Sequence, residues 1–109
     1  MILLTGGAGF IGSAMLRALN DLGLDRVLVV DDLGSSEKWK NLAGKHFLDY
    51  LDKDVLLEQL RAGKLPKKFE AVIHLGACSS TTETDADYMI ENNYRYTREL
   101  AEWALRNEV

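Results

Sequence analysis

The short apolar run Ile2–Thr5 is followed at once by two glycines, and Gly7-Ala8-Gly9-Phe10-Ile11-Gly12 then spells G-x-G-x-x-G. An apolar run this short, ended by glycine, reads as a buried parallel strand feeding a tight turn. Past the turn, Ile11, Met15, Leu19 and Leu22 recur at helical spacing, and Gly23 stands where a left-handed C-terminal cap belongs. The three motif glycines have separate tasks: the tight turn, close approach of backbone to a ligand, and close packing of helix on strand. The free N–H groups that open the helix then face an anion. Ser13 rather than lysine follows Gly12, so the loop does not match the one that holds nucleoside triphosphates for hydrolysis.

The remainder repeats the alternation of strand and helix. Val27–Val30 is a β-branched run ending at Asp31, hence a second strand, and Leu33–Gly44 reads as a loop with room for one helical turn. His46-Phe47-Leu48 reads as a brief third strand. Asp52 then caps a helix whose apolar face is Val55, Leu56, Leu57 and Leu60. Glu70–Leu75 is the fourth strand, and Asp87–Asn107 reads as one long amphipathic helix with Met89, Tyr96, Leu100, Trp103 and Ala104 inward. Right-handed crossovers then give an α/β fold, a partial Rossmann-type parallel sheet in the order 3-2-1-4 with helices on both faces. The pattern stops after a helix with strand four unpaired on one side, which suggests a truncated or partnered domain spanning residues 1–109.

Composition narrows the partners. With 13 Lys and Arg against 17 Asp and Glu, the net charge of −4 argues against nucleic acid, and the basic run Lys64–Lys68 reads as a solvated loop. The single cysteine, Cys78, forms no intrachain disulfide and fits a cytoplasmic setting. Met1–Thr5 lacks the basic flank of a signal peptide and the length of a membrane span.

Several residues carry the ligand reading. Asp31, ending strand two, is placed to accept hydrogen bonds from an adenosine ribose. Lys38 and Lys53 are candidate cations for a 2′-phosphate, which the adjacent Asp32 would oppose. Gly76, Ala77, Cys78 and Ser79 follow strand four where the backbone approaches a cofactor. Cys78 reads as loop packing, and Ser79 or Ser80 as a nucleophile would need a base. His74, inside the strand, reads as a core histidine. Glu83, Asp85 and Asp87 lack a metal-loop pattern and read as helix initiation. Asn92 and Asn93 either reach back toward the cofactor loop or face solvent.

Thr5 to Gly12 resembles the extended short-chain dehydrogenase/reductase superfamily. Gly76-Ala77-Cys78-Ser79-Ser80-Thr81-Thr82-Glu83, with Asn92-Asn93-Tyr94, Asp31 and Lys38, is similar within it to the bacterial ADP-heptose 6-epimerases. The resemblance implies a cytoplasmic, homo-oligomeric parent enzyme that uses NADP, or NAD, to invert a carbon of an ADP-sugar for lipopolysaccharide precursor synthesis. It also implies cofactor contacts from Gly6, Gly9, Phe10, Ile11, Gly12, Asp31, Asp32, Lys38, Lys53, Leu75, Gly76, Ala77, Cys78, Ser79 and Asn92. Two positions depart from that family, which usually has Asn at Asp32 and Glu at Leu75. Its catalytic Tyr-x-x-x-Lys has no counterpart here, since Tyr94 is followed four residues later by Arg98, so the chain alone is expected to be inactive. A non-catalytic dinucleotide module pairing through its open strand edge, and part of a UDP-sugar 4-epimerase or dehydratase, are the alternatives.

Overall fold

Ile2–Thr5 (β1) is almost wholly buried, as the most apolar strand of a parallel sheet must be when both of its edges are paired. In the computed structural model, which describes residues 1–65, 68–76 and 85–109, β1 lies between β2 (Val27–Asp31) and β4 (Ala71–His74). β3 (Asp49–Asp52) adds to the far side of β2, and all pairings are parallel, giving the expected order β3-β2-β1-β4. The register sets Thr5 beside Val30 and His74, so the C-terminal ends of three strands finish together.

Alternation along the strands divides the core in two. Leu3 and Val30 face α2 (Lys53–Arg61) and α4 (Tyr96–Arg106), joining Leu56, Leu57, Leu60, Leu65, Phe69, Tyr96, Leu100 and Trp103. Leu4, Val27 and Val29 face the other way, onto Leu16 and Leu19 of α1 (Phe10–Asp21). Asp52 caps α2 by accepting from the Asp54 N–H, as expected. Gly23 takes φ +79°, and the Gly23 and Leu24 N–H groups reach back to Asn20 and Leu19, a left-handed helix stop.

Three expectations need correction. Ile11 and Leu22, assigned to the inner stripe of α1, are exposed, as is Phe10 at 90%. The buried stripe is Gly12, Ser13, Leu16 and Leu19, because Gly12 packs against the backbone of the Gly6–Gly7 turn and thereby fixes the rotation of the helix. His46–Leu48 is not a strand; the ladder forms at Asp49–Asp52, preceded by one bond from the Leu48 N–H to the Val27 carbonyl. An edge strand needs little apolar content, which is why its acidic ends hid it. The long last helix is three pieces: α3 (Ala86–Met89), a π-helical turn (Ile90–Arg95) and α4. In the basic run, Leu65 is buried while Lys64 and Lys68 are exposed, and Pro66 and Lys67 lie outside the described residues.

Candidate functional site: a groove over the strand ends

The turn after β1 is made by Gly6, at φ +70°, rather than by Gly7. A Cβ on Gly6 would stand 2.5 Å from the Leu75 carbonyl oxygen, and one on Gly12 only 1.8 Å from that of Gly6. Gly7 instead faces inward, where a Cβ would meet Val29 at 2.7 Å. The working set is therefore Gly6 for the turn and Gly12 for packing of the helix on that turn, with Gly9 the residue just before α1. The spacing G-x-x-G-x-x-G of Gly6, Gly9 and Gly12 differs from the G-x-G-x-x-G that starts at Gly7 only in its first glycine, because two glycines stand side by side there.

Two adjoining hollows of about 330 and 180 Å³ lie above this turn. The larger is lined by Gly6, Gly9, Phe10, Ile11, Gly12 and Leu75, and both hollows share Gly6, Asp31, Lys38 and Gly76. The smaller adds Asp32, Lys53 and Asn92. Every described residue expected to contact a cofactor thus lines one groove; Ala77, Cys78 and Ser79 lie outside the described residues, as do Ser80 and Glu83.

The side chains in the groove hold one another. Asp31 is 7% exposed and accepts from the Ala8 and Asp32 N–H groups at 2.9 and 2.7 Å. Lys38 Nζ meets its Oδ1 at 2.6 Å, a charge-assisted contact that compensates burial of the carboxylate. Lys53 Nζ donates to Asn92 Oδ1 at 2.9 Å and lies 5.5 Å from the Tyr88 ring centre. Asn92 is 4% exposed and passes the connection on by donating to the Gly76 carbonyl at 3.3 Å. Of the two readings of Asn92, the inward one holds. The π-helical turn carries it there, a feature for which weak helix formers in an otherwise regular helix were the only sequence signal.

Sequence reasoning missed three supporting residues. Tyr50 donates its hydroxyl to the Asp31 carbonyl at 2.8 Å, and burial pushes its pKa up. Asn41 donates to the Ala8 carbonyl at 2.8 Å, tying the glycine loop to the segment before β3. Thr5 Oγ1 lies within 3.1 Å of the Leu75 and Gly76 N–H groups and 2.6 Å from His74 Nδ1. His74 is thus a satisfied structural histidine. Asp85 caps α3 by accepting from Tyr88, in keeping with helix initiation.

Residues 2–109 match the NAD dependent epimerase/dehydratase family. The chain belongs to that family. It is 52% identical over 102 residues to an ADP-L-glycero-D-manno-heptose-6-epimerase of Nitratidesulfovibrio vulgaris, covering 94% of this chain and 32% of that protein. The chain therefore spans about a third of the length of such relatives. Among solved structures, a UDP-glucose 4-epimerase of Thermotoga maritima superposes with a TM-score of 0.77 at 32% identity, covering 99% of this chain and 35% of that one. A UDP-glucuronic acid 4-epimerase of Bacillus cereus in complex with NAD gives 0.76 at 29% identity, covering 94% and 35%. A nicotinamide dinucleotide is thus the cofactor class of the family. No helix among the described residues is long and apolar enough to cross a membrane.

Proposed function

We propose that this chain is the dinucleotide-holding part of a cytoplasmic, homo-oligomeric epimerase that inverts a carbon of an ADP-heptose during lipopolysaccharide precursor synthesis, with NADP as its cofactor. The observation that carries the reading is the convergence of the glycine turn, the Asp31–Lys38 pair and the Lys53–Asn92–Gly76 chain on one groove. The 52% identity to an ADP-heptose epimerase supports the sugar class.

The chain's own residues divide the work of binding. The N–H groups that open α1 hold the pyrophosphate, reached across positions where a side chain would intrude. Asp31 Oδ2 receives one described hydrogen bond, from Ala8, and keeps accepting capacity for an adenosine ribose hydroxyl. Lys38 and Lys53 line the same hollow and bring positive charge toward a 2′-phosphate, which favours NADP over NAD despite Asp32. Exposed Phe10 and Ile11 offer apolar cover at the groove mouth, and Leu75 and Gly76 line the groove beside them. When bound, the dinucleotide supplies reversible hydride acceptance and donation at the sugar carbon.

Turnover needs residues beyond this set. Tyr94 is 61% exposed and lies outside the groove lining, with Arg98 5.4 Å from its ring centre, which supports that reading. Calorimetric titration with NADP⁺ and NAD⁺ tests the reading. Saturable binding with NADP⁺ the tighter, and no epimerisation of an ADP-heptose by this chain alone, are expected; a folded chain that binds neither dinucleotide overturns it. The solved UDP-sugar 4-epimerases, at 29% to 32% identity, favour a second reading in which the parent acts on a UDP-sugar with NAD. A clear preference for NAD⁺ would move the assignment there.

A further inference from the structure

Thr5 Oγ1 is the most crowded polar atom at the groove floor. The Leu75 and Gly76 N–H groups both point at it, at 3.0 and 3.1 Å, and the Leu75 N–H also shares the Thr5 carbonyl at 3.1 Å. A hydroxyl oxygen accepts two hydrogen bonds and donates one. The two backbone donors cannot rotate away, whereas the Tyr96 phenol, which also bonds Thr5, can turn its own O–H, so the short 2.6 Å contact is read as the Thr5 proton donated to His74 Nδ1. Nδ1 must then be the acceptor, so the ring proton sits on Nε2 and is donated to Thr97 Oγ1 at 2.9 Å.

We infer that His74, as the neutral Nε2–H imidazole, is a positioning residue for the groove: by accepting the Thr5 proton it leaves Thr5 free to hold the Leu75–Gly76 rim. Gly76 is gripped from both sides, its N–H by Thr5 and its carbonyl by Asn92, and a side chain there would press on Thr5 at 3.2 Å. The inference rests on the dinucleotide reading of that groove. It goes further by tying the rim's position to one protonation state.

A proton on Nδ1 would point a third donor at an oxygen with no lone pair left, so the strut opens as His74 becomes charged. The described groups facing the ring are Thr5 from β1 and Tyr96 and Thr97 from α4, with the Tyr96 ring edge-on at 4.9 Å. Only the Tyr96 phenol titrates, and burial pushes it up, so it stays neutral. Burial holds His74 below its ordinary value of 6.5. Since the folded state binds the proton less readily than the unfolded chain, this contribution to stability is full above pH 6.5 and erodes as pH falls below it.

The test uses this chain and NAD⁺, whose pyrophosphate stays ionised from pH 8 to 5. Nitrogen-15 spectra at pH 8 should show a bare Nδ1 and a protonated Nε2 on His74. NAD⁺ affinity should fall about tenfold as the same spectra show His74 taking up its proton on acidification, the loss of roughly one rim hydrogen bond. His74→Asn, which puts a non-titrating amide oxygen near the place of Nδ1, should flatten the profile, whatever its affinity at pH 8. A protonated Nδ1, or an equal pH-dependent fall in His74→Asn, overturns the inference. If wild type binds no NAD⁺ at pH 8, the dinucleotide reading fails separately, and amide exchange at Gly76 decides: protection lost at low pH in wild type but kept in His74→Asn supports the strut, and equal behaviour overturns it.

Discussion

The glycine loop between β1 and α1 builds its side of the groove from backbone alone, whereas the wall from Asp31 through Lys38 and Lys53 to Asn92 is built from side chains that pair with one another. On the loop, geometry is set by what is missing. Gly12 touches the Gly6 carbonyl so closely that a single added carbon has no room, and the position is effectively all-or-none. The wall is graded: each side chain can be replaced, its partner re-solvated or re-paired, and the ligand preference shifted without rebuilding the fold. On the proposed reading, one region confers the capacity to hold a dinucleotide, and the other adjusts which dinucleotide is held.

That contrast orders the expected effects. Gly12→Val should do most damage, because its Cβ would stand 1.8 Å from backbone oxygen. Dinucleotide binding should fall more than about a hundredfold, and overpacking should destabilise the chain by about 3 kcal/mol, read by calorimetry and thermal melting. Gly6→Ala should follow, since φ +70° strains any side chain by about 1–2 kcal/mol and Leu75 stands in the way. If either variant binds as tightly as wild type, the all-or-none description of the loop is wrong.

Asp31→Asn comes next, removing the charge paired with Lys38 at 2.6 Å while keeping an oxygen for the Ala8 amide. NAD⁺ affinity should drop about tenfold and NADP⁺ affinity less, because the released lysine is then available to a phosphate. An equal loss for both would show that the wall does not set the preference. Lys53→Met should be mildest, about threefold, since Asn92 retains its bond to the Gly76 carbonyl. A larger loss than that of Asp31→Asn would reverse the order within the wall.

The legibility of each part follows from how local its cause is. The β1–glycine–α1 unit, the caps at Asp52 and Gly23, and the strand order were all readable, because turn chemistry, capping and right-handed crossover act over a few residues or by a general rule. The placement of β3 was not, since an edge strand carrying Asp at both ends has little apolar signal. The outward turn of Ile11 was hidden too: hydrophobic spacing placed it inside, and the packing of Gly12 on the Gly6–Gly7 turn turned it out. Periodicity left Asn92 open between the cofactor loop and solvent, and the π-helical turn directs it inward.

The amino-acid order by itself therefore determined the class of fold, the glycine turn after β1 and the strand end that carries the acid, since these depend on short-range sterics and on which positions lack a Cβ. Only the tertiary structure decided that Thr5 pairs with His74 beneath the rim, that Lys53 and Asn92 hold each other, and which of two adjacent glycines makes the turn. Those partners lie 39 to 69 residues apart in the chain, and hydrogen bonds over such separations exist only once strands and helices have packed.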